Sequence, residues 1–418
     1  MERAITPSGQ ALSPAALTYK GNLPGEYIIH VTSPTHYGQL QYLDGNGTLA
    51  SFDVDPTSTL ENRTYANVLT GISSVTGDKT GRVGSYQWSL EGDAAGWDLI
   101  VTLLGPDAAN TLRALGYSRD QVLAALRNRA SLTVNALSYD CNSFGPNGLC
   151  FSFNARYSSL SQQDEGAGIL TAAYRVSPKV RVGVFVDYAF SRKNQIPGIV
   201  YDGNQPMFGG FIGYAQKDNG LGLQARIAGV YHSEDVTLAR SGALENTEAG
   251  LGASRLKAWA IGGEVGYGVK LAQDVRLTPY VGLRYGYAGR RGYTEATTSD
   301  VEYPVTYAAY SQRLTTGATG LVLNGNLNSQ IDYKLGGGIE YDLKSTGQDF
   351  AGSSNVPDMA TFALSDTASD NKFRGQGSAE LGYAITPKAR MTLGVSVRGE
   401  GYTDKINANV TAGLQLGF

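Results

Sequence analysis

The sequence contains no run of about 18 apolar residues, so no helix in it can cross a bilayer. It lacks an excess of either charge: 34 Lys and Arg stand against 37 Asp and Glu, for a net charge of −3, which excludes a dominant nucleic-acid role. It is poor in cysteine (2) and histidine (3). Cys141 and Cys150 are too few ligands for a zinc site, and the nearest histidine is far away in sequence. No G-x-S-x-G stretch exists, so no esterase is expected. "GNGTLA" (45–50) fits a dinucleotide fingerprint only superficially, with no strand–helix–strand context. No catalytic residue, cofactor or metal is expected. The opening "MERAITPSGQ" has no apolar core of a signal peptide, so Met1 is expected to begin a fragment of an exported protein.

What is abundant is glycine (54), tyrosine (26) and alternation. From about residue 149 to the end, apolar residues recur at every second position, the mark of a strand with two unlike faces. "VRVGVFVDYAF" sets Val180, Val182, Val184, Val186 and Tyr188 against Arg181, Gly183 and Asp187. "WAIGGEVGYGVKL" sets Ile261, Val265, Tyr267 and Val269 against Glu264 and Lys270. "IDYKLGGGIEYDL" sets Ile331, Tyr333, Leu335 and Ile339 against Asp332, Lys334 and Glu340. The same pattern runs through 149–158, 221–232, 275–287 and 389–400. Strands of about nine to twelve residues suit a tilted bilayer span. Charges of both signs on the second face do not fit a packed core and do fit a watery lumen. A soluble sandwich or lipocalin-like barrel would use shorter strands with the apolar face inward. Tyrosines near strand ends suit an interfacial belt.

Connections alternate in length. "SPK" (177–179), "KDNG" (217–220), "AQD" (272–274) and "TPK" (386–388) are short; those near 191–205, 236–253, 290–308 and 345–372 are long. Short turns on one side and long loops on the other are the pattern of an outer-membrane barrel, periplasmic and extracellular respectively. About twelve strands are counted, with strand eight placed within 305–328. The chain ends "NANVTAGLQLGF", apolar at alternate positions to Phe418. Such an ending predicts a closing strand whose terminal aromatic residue meets lipid at the periplasmic rim. Two cysteines with eight residues between them, around a Gly-Pro-Asn-Gly turn, predict a disulfide in an oxidising compartment.

Residues 107–135 break the period. Asp107 reads as a cap and Gly116 as a stop; Ser118 with Gln121 reads as the capping box of a second helix. Val122, Leu123 and Leu126 form an apolar stripe, and Arg119, Arg127 and Arg129 a basic one. One reading is a surface helix on a neighbouring domain. The other threads it through the barrel, with its arginines meeting Asp187, Glu264, Asp332, Glu340 and Glu380 on the lumen wall; adjacency to the first strand favours threading. Residues 26–104 carry short strand-like runs separated by "DGNG", "TGDKTG" and "GDAAG" turns, like the last rungs of a β-solenoid capped by Tyr86, Trp88 and Trp97. His232 is read as a solvated rim histidine rather than part of a surface protease with Glu234 and Asp235.

Solenoid end, helix and a twelve-strand barrel ending in Phe together resemble the C-terminal translocation unit of monomeric autotransporters, the type V secretion proteins. The resemblance covers about 26–418 and rests on "TPYVGLRYGY", the helix before "YDCNSFGPNGLCFSFNARY", the "FAG" stretch after 349 and "VTAGLQLGF". The fold class it implies is all-β: an antiparallel transmembrane barrel with a lumen helix, preceded by a short passenger end. The domains are then 1–25, a flexible leader; 26–105, the solenoid end; 106–140, a helical linker; and 141–418, the barrel. The implied function is non-enzymatic export and anchoring of an N-terminal passenger at the surface of a Gram-negative bacterium. The implied partners are outer-membrane lipid, the barrel-assembly machinery, periplasmic chaperones and the chain's own passenger, with the protein a monomer. Leu414, Leu416 and Phe418 resemble the assembly signal. Self-cleaving members carry an Asn-Asn pair in the pore helix; here Asn110, Asn128 and Asn135 are single, which speaks against autocatalytic release. Two other readings are a porin, plugged or diffusive, with a periplasmic N-terminal domain, and the remainder of an adhesin or surface enzyme whose activity lies upstream.

Overall fold

The computed structural model describes residues 16–84, 86–298, 301–365, 373–401 and 405–418. They divide into two compact units: the described residues within 1–113, 242–248 and 354–360, and those within 114–241, 249–353 and 361–418.

The first unit is built on parallel rungs. Leu17–Tyr19 pairs in parallel with Leu40–Tyr42, Glu26–Ile29 with Ser51–Val54, and Gly47–Leu49 with Ile72–Val75. Inward side chains of successive rungs stack into one core in which Ile29, Leu40, Leu49, Leu69 and Ile72 are fully buried. Antiparallel strands follow, Arg63–Thr70 with Gly96–Leu103 and Gly96–Leu103 with Tyr86–Asp93. Trp88 lies edge-on to Phe52 at 5.6 Å, and the Trp97 indole donates to the Ile72 carbonyl at 2.8 Å, so both rings are buried with the core. Tyr86 is half-buried. Within the leader expected over 1–25, Leu17–Tyr19 already belongs to a rung; residues 1–15 lie outside the described residues.

The second unit is a closed barrel of twelve antiparallel strands in chain order: β1 Leu149–Leu160, β2 Gln163–Ser177, β3 Val180–Asn194, β4 Met207–Ala215, β5 Gly222–Arg240, β6 Gly250–Ala272, β7 Val275–Arg290, β8 Tyr310–Asn326, β9 Ile331–Gly347, β10 Phe373–Thr386, β11 Ala389–Gly399 and β12 Ile406–Gly417. β12 closes on β1 with Phe151 opposite Leu416 and Tyr157 opposite Val410. Every strand turns an apolar side chain outward: Phe153, Leu170, Val184 and Ile212 on the first four are 45–64% exposed, and Ile227, Ile261, Val281, Leu321, Ile339, Leu381, Leu393 and Val410 continue the band. A continuous band of this kind is too large for a water-facing surface and suits lipid.

Strand eight falls where the pattern placed it, over Tyr310–Asn326. Strand lengths differ from expectation. β6 has 23 residues and β5 has 19, well beyond a bilayer span, because the hairpin keeps its ladder into what reads as a long loop at 236–253. The loops near 290–308 and 345–372 also contain structure. Tyr293–Thr294, Val305–Tyr307, Phe350–Ser354 and Thr361–Leu364 form a four-stranded sheet with Tyr307 and Phe350 buried beneath it.

The helix α1, Ala108–Ala136, is one continuous element of 29 residues. Asp107 caps it as expected, accepting from the Asn110 amide at 2.7 Å. Gly116 does not stop it, and Ser118 is not a second cap: its hydroxyl donates to the Ala114 carbonyl one turn back, the mid-helix alternative for serine. A glycine ends a helix in this way only where it adopts the left-handed conformation, and Gly116 does not adopt it. A Cβ at Gly116 would meet nothing within 4 Å. Gly116→Ala should therefore raise stability by up to about 1 kcal/mol, read as a higher denaturation midpoint of the purified barrel; a lower midpoint would contradict an unstrained helical Gly116.

Candidate translocation pore

From Gln121 to Ala136 no residue of α1 is exposed. A helix carrying Arg127, Asn128 and Arg129 can be covered on all sides only if its surroundings offer polar partners. The barrel supplies them because the inward positions of its strands carry charge. Arg129 reaches Glu165 on β2 at 3.1 Å and Glu234 on β5 at 3.5 Å. Glu165 also holds Arg156 of β1 at 2.9 Å and Arg192 of β3 at 3.1 Å. Arg192 reaches Glu234 at 2.6 Å, and Arg156 reaches Asp187 of β3 at 3.0 Å. Three arginines and three carboxylates thus form one buried network, charge for charge, with 0–6% of each side chain exposed. Arg129 and Arg192 also lie over the Tyr201 ring at 5.0 and 4.2 Å. Asn128 donates to the Ser161 carbonyl at 2.8 Å.

The expected pairings are redistributed. Of the helix arginines, Arg129 binds wall carboxylates, but Glu165 and Glu234 rather than the five expected. Arg119 pairs with its neighbour Asp120 at 2.8 Å and donates to the Ser365 carbonyl at 2.9 Å. Arg127 lines a cavity of about 60 Å³ between α1 and the wall, together with Ser131, Val134, Glu340, Arg374 and Arg398. Asp187 meets the segment after the helix through the Tyr139 hydroxyl at 2.8 Å. Glu340 is taken by wall arginines: Arg284, Arg398 and, at 3.3 Å, Arg374. Asp332 and Glu380 share Arg390. Glu264 stands opposite Arg226 in the β5–β6 register. The reason is reach. Neighbouring strands bring wall charges within a strand spacing of each other, whereas a helix residue meets only the sector it faces.

His232 is buried rather than solvated: 6% of it is exposed and its Nε2 lies 3.1 Å from the Gln205 carbonyl oxygen. It sits on the inward face of β5, beneath the connection between β3 and β4.

Past the helix, Asp140 pairs with Arg181 at 2.7 Å and Arg226 at 2.9 Å, both near short turns. Cys141 and Cys150 form a disulfide with their Cα atoms 5.9 Å apart. The loop they close lies over the barrel seam. The Ser143 hydroxyl donates to Gln415 Oε1 at 3.1 Å, and the Asn147 amide donates to the Phe418 carbonyl at 3.0 Å. A Cβ at Gly145 would stand 2.5 Å from the Phe418 backbone, so glycine is needed for this approach. Phe418 is held on both sides: its amide donates to Leu149, and its ring meets Phe151 edge-on at 5.7 Å.

The family model for the autotransporter β-domain matches residues 152–398, β1 through β11. The chain belongs to the autotransporter family. The translocator of this family is an outer-membrane β-barrel, and passenger export is the family's role. No curated protein matches the chain. Among solved structures it is similar to the translocator domain of the autotransporter NalP from Neisseria meningitidis, at 14% identity over 70% of this chain and 94% of that one, with a TM-score of 0.48. It is also similar to the β-domain of the Bordetella autotransporter BrkA, at 14% identity over 65% of this chain and 99% of that one, TM-score 0.43. The toluene transporter TodX of Pseudomonas putida follows at 11% identity over 68% and 94%, TM-score 0.39.

Proposed function

We propose that this translocator carries residues 16–105, the end of its own passenger, to the cell surface and then keeps α1 in the pore as a charged plug. The observation that carries this reading is the direction and enclosure of α1. Arg119 bonds Ser365 in the long connection between β9 and β10, whereas Asp140 bonds Arg181 and Arg226 beside short turns. The chain N-terminal to α1 therefore leaves the lumen at the long-loop end, which is the extracellular end in barrels of this kind. The pore has no nucleotide to draw on, and passenger folding outside supplies the outward bias. On this reading the protein has no catalytic role. It acts as a monomer, and periplasmic chaperones and the barrel-assembly machinery deliver it to the membrane, reading Leu414, Leu416 and Phe418. The test gives the chain a signal peptide and an N-terminal epitope in a Gram-negative host. Antibody and protease should reach the epitope on intact cells. An epitope hidden while the barrel is assembled would leave residues 1–104 in the periplasm and overturn the reading in favour of a plugged porin.

A further inference from the structure

The outward faces of β6, β7 and β8 carry a group of charges that the pore does not use. Tyr231, Trp259 and Tyr287 stand in one row across β5, β6 and β7, with Tyr231 opposite Trp259 and Trp259 opposite Tyr287. The last two rings stack at 5.9 Å. Below the row, toward the short turns, Ile261 and Leu283 are 49% and 54% exposed and continue the apolar band. An aromatic row at the edge of such a band marks the level of lipid headgroups. Two residues beyond Trp259 on the same face stands Lys257, and two further Arg255, roughly 7 and 13 Å past the row at the rise of a strand. Arg291 follows directly on β7, its amide donating to the Arg255 carbonyl at 3.0 Å. Arg313 of β8 stands opposite Tyr287, its guanidinium 6.0 Å from that ring. Among the described residues, the carboxylate paired with this group is Asp235, which holds Arg255 and leaves both side chains about two-fifths exposed. Leaving Arg313 aside, three cations face one carboxylate within about two strand spacings, on the order of 10 Å.

Two other described parts of the rim differ. On β2 and β3, Asp164 stands opposite Lys193, which balances the charge. On β10, β11 and β12, Phe373, Val397 and Ile406 are exposed apolar residues. Neither of those two parts of the described rim carries a comparable positive excess, and the excess on β6 and β7 lies on the lipid side of the wall, at headgroup depth and at the long-loop end. A polar interface strengthens such charges relative to bulk water, and a phosphate is the group of opposite charge found at that depth. We propose that Lys257 and Arg291, beside Arg255, bind the phosphates of an anionic glycolipid in the outer leaflet, fixing the depth and rotation of this side of the barrel. Lys257 and Arg291 make the contact, and Arg255, held by Asp235, frames it. The assignment to the outer leaflet rests on the orientation proposed above.

The full chain, purified in detergent, is titrated with diphosphoryl lipid A and with its dephosphorylated form, and lipid retention is read by native mass spectrometry. The wild type should retain the phosphorylated lipid preferentially. The double variant Lys257→Gln/Arg291→Gln should bind it about thirtyfold more weakly, at about fivefold per cation removed. Its barrel should still migrate as folded on an unheated gel, since both side chains lie outside the core. Equal retention by the variant, or equal retention of the dephosphorylated lipid, would overturn the site. Displacement of the lipid by millimolar inorganic phosphate would also overturn it, by showing a soluble-anion site. Retention does not depend on orientation. A hidden epitope on intact cells with retention preserved would therefore overturn the leaflet and the orientation together while leaving the phosphate contact standing.

Discussion

Leu416→Asp should leave almost no assembled barrel in the outer membrane of a host cell, and Phe418→Asp should do the same. Leu416 lies on the outer face of β12, opposite Phe151 on β1 and Ala389 on β11. It sits two residues from the chain end, at the short-turn rim. A charge on the lipid face costs about 2–4 kcal/mol at the bilayer midplane but only about 0–1 kcal/mol near an interface. Thermodynamics alone therefore predicts a mild effect at Leu416, smaller than that of the same change at a midplane position such as Leu393. If the residues Leu414, Leu416 and Phe418 are read by the assembly machinery, the order reverses in cells: Leu416→Asp fails completely while Leu393→Asp assembles in part. Refolding of both variants into detergent separates the two causes, because no machinery is present there. The measurement is the fraction of heat-modifiable barrel in cells and in detergent. Normal assembly of Leu416→Asp in cells would sink the recognition reading, and equal failure in detergent would reduce it to stability.

The barrel was legible because period-2 alternation is a property of the chain itself, independent of what surrounds it. Its less legible strands are those where contrast between the faces is weak. β2 begins "QDEGAGIL" and β4 reads "MFGGFIGYA"; glycine and alanine on either face blur the alternation. That is also why the centre of the pore network is not legible in the sequence, since Glu165 lies in the blurred start of β2. Glu234 was hidden for a different reason. It sits where β5 was expected to give way to a loop, and only the continued pairing of Glu234 with Leu256 keeps it on the inward face. The sequence shows which residues face inward; the sector of wall that each helix side chain meets is set by barrel closure and by the rotation of α1, neither of which is a local property. Gly116 shows the same limit. Local rules read a stop there, yet Gly116 keeps helical dihedrals and the helix runs on into the enclosed stretch that begins at Gln121.

Glu165→Leu should destabilise the folded barrel by about 3–5 kcal/mol, the usual cost of removing one partner from a buried ionic group. Glu165 is the hub: it takes Arg129 from the helix, Arg156 from β1 and Arg192 from β3. Without it, three buried arginines share Asp187 and Glu234, and one positive charge is left uncompensated. Arg129→Leu alone leaves the opposite imbalance, yet Glu165 keeps Arg156 and Arg192, so its cost should be smaller. The double variant Arg129→Leu/Glu165→Leu retains two arginines and two carboxylates, Arg156 with Asp187 and Arg192 with Glu234. It should recover most of the loss, because balance rather than the number of ion pairs governs a buried network. Denaturant titration of the three variants in detergent measures the coupling. The functional consequence follows from where the charge sits: Arg129 is the helix's share of the network, so the double variant should keep a stable barrel while its helix becomes accessible to protease. A Glu165→Leu barrel as stable as the wild type, or a double variant no better than the single, would show that the network does not hold the plug.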